Sequence, residues 1–246
     1  MNCLRFSRAA EARSTRCSAI GTLLLYYITD RSQFPGDEEA RCHALLDKIA
    51  EAAACGVDFV QLREKDLPTR ELELLAQAAM RIIREKAQPA DTQAPRTRLL
   101  INSRVDVAIA CEADGVHLRS DDISAQDVRG VWARVAGARD HEPQIGVSCH
   151  APAEVASAAS DGADFVAFAP VFEKKGMASI PATGLSALHE ACQHRIPVLA
   201  LGGVNASNIH SCIEAGATGV AGIRLFQTGD IAEVVRKIRE QGNDCS

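Results

Sequence analysis

Eight short apolar runs, separated by segments of helical periodicity, constrain the fold of this chain more than any other feature. Each run is nearly continuous in apolar residues, which is typical of parallel strands that helices cover on their outer side. The runs lie at 23–29, 58–62, 98–101, 114–118, 144–148, 164–168, 197–201 and 218–222. Alternation of eight strands with helices predicts a single-domain α/β protein of the (β/α)8 TIM-barrel class.

The segments between the runs place apolar residues three and four positions apart, which indicates amphipathic helices. They span about 38–54, 70–86, 104–112, 124–136, 152–160, 185–194, 205–215 and 230–240. The first two apolar stripes are Ala40, Leu45, Ile49 and Ala53, and Leu72, Leu75, Ala79 and Ile83. Asn205 and Ser207 are the expected N-caps of the seventh helix, because their side chains can accept from free backbone N–H groups. Glycine follows three of the helices, at Gly56, Gly162 and Gly216, where a left-handed residue is expected.

Four phrases of the sequence resemble one another. They are A-C-G-V-D-F-V at 54–60, E-A-D-G-V-H-L at 112–118, D-G-A-D-F-V-A at 161–167 and E-A-G-A-T-G-V-A at 214–221. Each combines a helix end, a turn of small residues and a strand. Their spacing is too long for a solenoid, so we interpret them as the repeating βα unit of the barrel.

Residues 1–20 differ in composition from the rest of the chain. They hold four arginines and a single acid, Glu11, with serines between them. We interpret them as a disordered N-terminal extension, and a transit peptide remains the alternative. Residues 21–246 are then assigned to the barrel, close to the roughly 250 residues that this fold usually needs.

Charge and cysteine content narrow the class of protein. The formal net charge is -5, so no basic face is expected to attract nucleic acid or a membrane surface. No apolar run approaches the roughly 20 residues that a membrane span requires. The nine cysteines form no C-x-x-C pair, and we interpret them as reduced, mostly buried thiols of a cytoplasmic protein. A homo-oligomer remains open.

Polar residues follow the strands at the end where barrels of this kind hold their active sites. The positive ones indicate a phosphorylated substrate: Arg63, Lys65, Lys174, Lys175 and Arg224. Gly202 and Gly203, before a helix expected to start at Asn205, predict a phosphate cradle. Asp122 is a candidate ligand for a divalent metal, and His150 is a candidate proton carrier.

Each of these residues also has a purely structural interpretation. The charged segment after the second strand is typical of a solvated loop, and a pair of glycines is typical of a tight turn. A single histidine such as His150 more often binds the backbone than a substrate. The functional interpretation depends on all of these residues meeting at one end of eight strands.

With the strand ends assigned, the chain resembles the thiamine-phosphate synthase/TenI family from about Tyr27 to Glu240. Seven motifs in the right order carry the resemblance. They are Y-I-T-D (27–30), V-Q-L-R-E-K-D (60–66), L-I-N-x-R-V-D-V-A (100–108), A-D-G-V-H-L (113–118), I-G-V-S-C-H (145–150), G-A-D-F-V (162–166) with P-V-F (170–172), and A-L-G-G-V (200–204).

The resemblance implies a function and a set of roles. Synthases of the family join hydroxymethylpyrimidine diphosphate to thiazole phosphate and release pyrophosphate with the help of Mg²⁺. By resemblance, Gln61, Arg63, Lys65 and Asn102 would hold the pyrimidine diphosphate, and Ser148 would lie near the pyrophosphate. Asp122 would bind Mg²⁺, and Gly203 would meet the thiazole phosphate. His150, Ser148 and Lys65 are the expected catalytic residues.

The chain departs from the pattern of the synthases at four places. Ser103 stands where a second aspartate usually binds Mg²⁺, and Arg224 stands where serine is usual. The loop 173–176 lacks the usual Thr-x-Thr-Lys, and Arg119-Ser120-Asp121-Asp122 replaces Gly-Gln-Glu-Asp. Three alternatives therefore stay open. They are a TenI-type tautomerase that uses His150 without a metal, a non-catalytic barrel that binds a thiamine precursor, and an unrelated phosphosugar isomerase barrel.

Overall fold

The computed structural model describes residues 23–86, 96–135, 142–173 and 181–243. Eight parallel strands pair in chain order and close through β1 and β8 into a barrel, as predicted. The strands are β1 Leu24–Ile28, β2 Phe59–Leu62, β3 Arg98–Asn102, β4 Gly115–Leu118, β5 Gln144–Cys149, β6 Phe165–Phe168, β7 Val198–Ala200 and β8 Gly219–Gly222. Each begins and ends within two residues of the predicted run. The predicted extension, residues 1–20, lies outside the described residues.

The helices lie outside the strands and bury one face against them. In the described ranges they are α1 Glu38–Ala54, α2 Thr69–Lys86, α3 Val105–Ala110, α4 Ala125–Val135, α5 Pro152–Ser160, α6 Gly184–Ala191, α7 Ile209–Glu214, α8 Arg224–Gln227 and α9 Ile231–Asn243. The predicted stripe of α2 is confirmed, with all four residues buried. That of α1 is partly wrong: Ala40 is exposed and Ala53 is half-buried, and Ala52 joins Leu45 and Ile49 in the core.

The start of α7 corrects a second prediction. Helix α7 begins at Ile209, four residues after the expected Asn205, and its N-cap position is Asn208. The side chain of Asn205 is used in a tight turn instead, where its Oδ1 accepts from Ser207 N at 2.9 Å. Asn205 and Ser207 are therefore not caps. The three glycines expected after helices are confirmed, because Gly56, Gly162 and Gly216 have positive φ.

The interior of the barrel follows the two-residue period of its strands. One cluster of inward side chains consists of Tyr26, Ile28, Phe59, Leu100, Phe165, Leu199 and Ala221. The Tyr26 ring packs edge-on against Phe59 and Phe165, with centroids 5.9 and 5.3 Å away. The next inward residues toward the carboxyl ends of several strands are polar. A closely packed floor thus lies directly below a polar mouth.

Three aspartates at the opposite end explain why three of the four phrases resemble one another. Asp58, Asp114 and Asp164 each stand just before a strand. The carboxylate of each accepts from the backbone N–H of the second residue of the preceding strand in the sequence, at 2.8, 2.8 and 2.7 Å. Each is also paired with an arginine: Arg239, Arg96 and Arg129, respectively. These bonds satisfy strand termini that would otherwise lose their hydrogen-bond partners on burial.

The described helices include none that is both long and apolar enough to cross a lipid bilayer. Six cysteines in the described ranges are free, and three of them are buried: Cys111, Cys149 and Cys212. Cys42, Cys55 and Cys192 are partly exposed, so burial is less general than expected. The cytoplasmic location stays a prediction.

We predict that Asp114→Ala lowers the free energy of unfolding by about 2–3 kcal/mol, because the buried N–H of Leu99 loses its acceptor. Asp114→Asn keeps an acceptor oxygen and loses only the charge facing the half-exposed Arg96, so its cost is expected to be about 1 kcal/mol. Urea unfolding of the two variants measures the difference. Equal losses would show that the charge matters and the backbone bond does not.

Candidate active site

A buried ion pair shapes the loop that follows β2. Arg31, at the end of β1, donates from its backbone N and from Nη1 to Glu64 Oε2, at 3.0 and 3.1 Å. Thr29 Oγ1 donates to the other oxygen of Glu64 at 2.5 Å. Arg31 also makes two bonds to Asp66, at 2.7 and 2.8 Å, and these lower the pKa of Asp66. Both acids of the loop are thus directed toward Arg31.

The residues that alternate with these acids line the mouth of the barrel. Arg63 and Lys65 both border one cavity, together with Arg119 from the end of β4. The charge of Arg63, followed by partial burial and the charge of Arg119, lowers the pKa of Lys65. The lining of the cavity thus includes three positive groups and one carboxylate, Asp121, which is paired with Arg119. Such a space favours an anion with more than one negative charge.

Two cavities lie side by side at the mouth. The first has a volume of about 580 Å³ and the second of about 680 Å³. Arg63, Leu201 and Ile223 line both, so one arginine stands on the wall between them. Each volume is within the range of about 300–1,000 Å³ of small-molecule sites. The arrangement can hold two ligands in contact, with a cation beside both.

The first cavity gathers most of the residues predicted for the pyrimidine substrate. Gln61 and Asn102, on neighbouring strands, are joined by a bond from Gln61 Nε2 to Asn102 Oδ1 at 2.8 Å. Ser148 and His150 reach the same cavity from β5. His150 Nδ1 lies 2.6 Å from the carbonyl oxygen of Ala169, which can only accept. His150 Nδ1 therefore donates to this carbonyl, and Nε2 is the ring nitrogen that remains for a ligand.

Asp122, the predicted metal ligand, lies beside the residue that departs from the family pattern. Ser103 Oγ donates to Asp122 Oδ2 at 2.6 Å, and Arg119 N donates to the same oxygen at 2.7 Å. Among the described residues, no group of three or more His, Cys, Asp or Glu side chains could hold a metal ion. Neither of the two hydrogen bonds to Asp122 uses its Oδ1.

The second cavity contains the predicted phosphate cradle. Gly202, Gly203 and Arg224 line it with Asp30 and Asn205. Gly203 has φ +70°, and a Cβ there would lie 2.7 Å from the Cβ of Phe172. Glycine is therefore required by the close approach of the loop after β6. The expected helix N-terminus does not begin at Asn205, so the cradle consists of turn backbone and Arg224. Lys174 and Lys175 lie outside the described residues.

Comparison with known proteins agrees with this geometry. The family model described as thiamine monophosphate synthase matches residues 25–226. The chain belongs to this thiamine monophosphate synthase and TenI family. A thiamine-phosphate synthase from Syntrophomonas wolfei subsp. wolfei is 36% identical over 219 residues, which cover 88% of this chain and 94% of that protein.

Two further relatives widen the comparison. A probable thiamine biosynthetic bifunctional enzyme of rice chloroplasts, from Oryza sativa subsp. japonica, is 37% identical over 204 residues. That match covers 82% of this chain but spans only 34% of the rice protein's length. The solved structure of a thiamine phosphate pyrophosphorylase from Pyrococcus furiosus aligns with a TM-score of 0.70 and 26% identity. The alignment covers 92% of this chain and 98% of that one.

Family membership makes the departures at Ser103 and Arg119 informative. Ser103 has φ +59°, a left-handed conformation that serine adopts less readily than aspartate or asparagine. The backbone thus keeps a shape that suits the usual aspartate. Arg119, where the family usually has glycine, adds a cation to the first cavity. Relative to the pattern that the resemblance implies, this chain lacks one carboxylate at Ser103 and gains one positive charge at Arg119.

Three residues of the site and the barrel interior were not predicted from the sequence: Arg119, His117 and Tyr26. A signal for them was present. Asn102, His117 and Gly146 are register partners across β3, β4 and β5, so the inward positions of these strands were readable once the register was known. His117 and Arg119 are two residues apart along β4 and its extension, so their side chains point to the same face of the sheet.

We predict that Arg31→Met lowers the free energy of unfolding by about 3–5 kcal/mol, because it leaves the buried carboxylate of Glu64 without its ion partner. Glu38→Gln is the matched control. It removes a half-exposed partner of the same arginine, and the expected loss is below about 1 kcal/mol. Thermal or urea unfolding measures both. Similar losses for the two variants would contradict the central role of Glu64.

Proposed function

We propose that this chain is a thiamine-phosphate synthase, which couples hydroxymethylpyrimidine diphosphate to thiazole phosphate and releases pyrophosphate. The pair of adjacent cavities that share Arg63 carries this proposal. A coupling enzyme has to hold two phosphorylated substrates in contact, whereas an isomerase needs only one site. The family membership and the thiamine-phosphate synthase among the relatives support the same activity.

In this proposal the first cavity binds the pyrimidine diphosphate. Gln61 and Asn102 present amide groups that can pair with the ring nitrogens and the amino group of the pyrimidine. Arg63 and Lys65 face the diphosphate, and Ser148 lies at the wall beside it. Charge-assisted bonds to phosphate oxygens are stronger than neutral ones, so the cations supply most of the binding free energy.

The second cavity then binds the thiazole phosphate. Its phosphate meets the turn of Gly202 and Gly203 and the guanidinium of Arg224. Lys174 and Lys175, which lie outside the described residues, stay predicted substrate-binding residues. The wall residue Arg63 brings the two substrates together, because it can contact an anionic group in either cavity.

The reaction breaks the C–O bond between the pyrimidine methylene carbon and the diphosphate and forms a C–N bond to the thiazole nitrogen. The bonding electrons of the C–O bond leave with pyrophosphate, and the pyrimidine becomes cation-like before the nitrogen attacks. The residues described here transfer no atoms. Their contribution is to align the two substrates and to stabilise charge as it develops on the leaving group.

Asp122 fits a magnesium ion as a single protein ligand. Magnesium is commonly held by one or two carboxylates together with substrate phosphates. Both hydrogen bonds to Asp122 use Oδ2, which leaves Oδ1 for a cation. When bound, the ion would neutralise part of the diphosphate charge. Ser103 supplies a hydroxyl where a second carboxylate is usual, so we expect weak metal binding without substrate.

The first test is to incubate the purified protein with both substrates and Mg²⁺ and to measure thiamine phosphate. We expect product, and we expect its formation to stop when EDTA removes the ion. Asp122→Ala should reduce the rate by at least about 100-fold, since the ion loses its carboxylate. An unchanged rate in Asp122→Ala would remove the metal assignment, and absence of product from the folded protein would overturn the synthase.

We predict that Ser103→Asp tightens binding of divalent cation about tenfold or more, because it adds a carboxylate beside Asp122 on a backbone that already suits aspartate. Electron paramagnetic resonance titration with Mn²⁺ measures the affinity without any substrate. Adding Asp122→Asn should remove the gain. Unaltered Mn²⁺ affinity in Ser103→Asp would show that the two side chains do not form a shared site.

A thiazole tautomerase of the TenI type is the second candidate. It is favoured by the free Nε2 of His150 at the edge of the first cavity, which leaves a nitrogen able to accept a proton. If the coupling assay gives no product, tautomerisation of the thiazole carboxylate phosphate should be measured next. In that case His150→Asn should abolish turnover.

A further inference from the structure

Three polar side chains form a continuous chain from the floor of the barrel to the first cavity. The Tyr26 hydroxyl lies 3.0 Å from His117 Nδ1, and His117 Nε2 lies 2.9 Å from Ser148 Oγ. Tyr26 is completely buried and His117 is 2% exposed. Ser148 is half-buried and lines the cavity. His117 and Ser148 both line the cavity, whereas Tyr26 lies below it.

The site is built to hold the imidazole in this place. Gly146 pairs with His117 on one side and with Phe165 on the other. A Cβ on Gly146 would lie 2.8 Å from His117 Nδ1 and 2.5 Å from Phe165 Cζ. Glycine thus makes room for both rings. The Tyr26 ring is fixed by Phe59 and Phe165, so its hydroxyl has one direction in which to point.

His117 is neutral at physiological pH. Burial lowers its pKa to about 3, and the positive charge of Arg63 acts in the same sense. A neutral imidazole carries one hydrogen, on Nδ1 or on Nε2, and the other nitrogen accepts. The direction of the whole chain depends on which of these two tautomers is present.

Hydrogen-bond satisfaction distinguishes the two tautomers. Burial raises the pKa of Tyr26 well above its usual value, so its hydroxyl keeps its hydrogen. Within the described part of the chain, His117 is the hydrogen-bond partner of this hydroxyl. If Nδ1 carried the hydrogen, it would donate to Tyr26 and leave the Tyr26 O–H among aromatic rings without an acceptor. A buried donor without a partner is costly.

We propose that Tyr26 and His117 are positioning residues that turn the Ser148 hydroxyl into a hydrogen-bond donor toward an anionic substrate oxygen. Tyr26 O–H donates to Nδ1, Nε2–H donates to Ser148 Oγ, and the hydrogen of Ser148 is left to point into the cavity. This inference rests on the proposed function for the identity of the anion, which is the diphosphate. It assigns Tyr26 and His117 a role that they exert through Ser148.

The opposite direction would impair the site. Ser148 would then give its hydrogen to His117 Nε2 and present only oxygen lone pairs to the cavity. Lone pairs repel a diphosphate oxygen, whereas a donated hydrogen attracts it. A neutral residue is also required here, because a protonated His117 would hold hydrogens on both nitrogens and would face the Tyr26 oxygen with a buried charge.

The direct test is the tautomer of His117, read from ¹⁵N NMR of protein labelled on histidine. Its signals are recognised because they do not shift as the pH falls through the range in which exposed histidines protonate. They are checked by their loss in His117→Gln. We expect hydrogen on Nε2 and a bare Nδ1. A hydrogen on Nδ1 would overturn the proposal whether or not the glutamine variant folds.

The second test removes one hydroxyl. Tyr26→Phe keeps the ring that packs on Phe59 and Phe165, so the barrel floor is preserved. We expect a shift in the His117 tautomer and weaker binding of inorganic pyrophosphate by isothermal titration calorimetry, by about 3- to 10-fold. Ser148→Ala should weaken pyrophosphate binding about 10-fold. Adding Tyr26→Phe to Ser148→Ala should weaken it no further.

Tyr27→Phe is the matched control. Tyr27 is the neighbouring residue, is equally buried, and donates to Gln227 Oε1 at 2.9 Å instead of to His117. It should leave both the tautomer and pyrophosphate binding as in the unmodified protein. Equal effects of the two tyrosine changes would overturn the positioning role, since a general loss of packing would then explain them.

The two proposals fail in different ways. Absence of thiamine phosphate from the coupling assay overturns the proposed function, and it has no bearing on which nitrogen of His117 carries the hydrogen. A Nδ1 tautomer, or a Tyr26→Phe protein that binds pyrophosphate as well as the unmodified one, overturns the relay while the coupling assay can still succeed.

Discussion

The ion pair of Arg31 with Glu64 is the interaction on which the functional end of this barrel depends. Both side chains are almost wholly buried, so each needs the other to offset the loss of hydration. Their pairing directs Glu64, and with it Asp66, away from the cavity. The intervening residues of the loop, Arg63 and Lys65, are thereby left at the mouth. A strand-end loop of alternating charge thus becomes an anion site because its acids are already occupied by a partner from the neighbouring strand.

The same two-residue alternation links the floor of the barrel to its mouth. Tyr26 belongs to the apolar cluster, but its hydroxyl extends to His117, which is one level higher. His117 in turn contacts Ser148 at the edge of the cavity. The aromatic rings that fill the interior therefore have a second role, because they also fix the direction of a hydrogen bond at the site. A serine alone would rotate freely, whereas a serine bonded to a fixed N–H has its remaining hydrogen aimed.

The eight strands and their order were readable from the sequence because parallel strands and amphipathic helices leave strong periodic signals, and the residues at the strand ends followed from the fold. The start of α7 was not readable, because Asn205 is as suitable for a turn as for a cap, and the bond from Ser207 N decides between them. The role of Glu64 was hidden for a different reason. In the sequence it is one charge among four in a loop, and its partner Arg31 lies 33 residues away along the chain. Long-range pairing of this kind leaves no local pattern.

The exchange of charge around Asp122 shows how a family member can keep an anion site while changing its metal site. Ser103 removes a carboxylate, which lowers the attraction for a cation, and its hydroxyl takes part of the coordination capacity of Asp122. Arg119, which is paired with Asp121, adds a positive charge near Lys65 and raises the attraction for a diphosphate. The two changes act in the same direction on the net potential of the first cavity, making it more positive before any ion binds. Such a cavity should hold pyrophosphate with less dependence on Mg²⁺ than one with two carboxylates, since part of the neutralisation is then done by the protein.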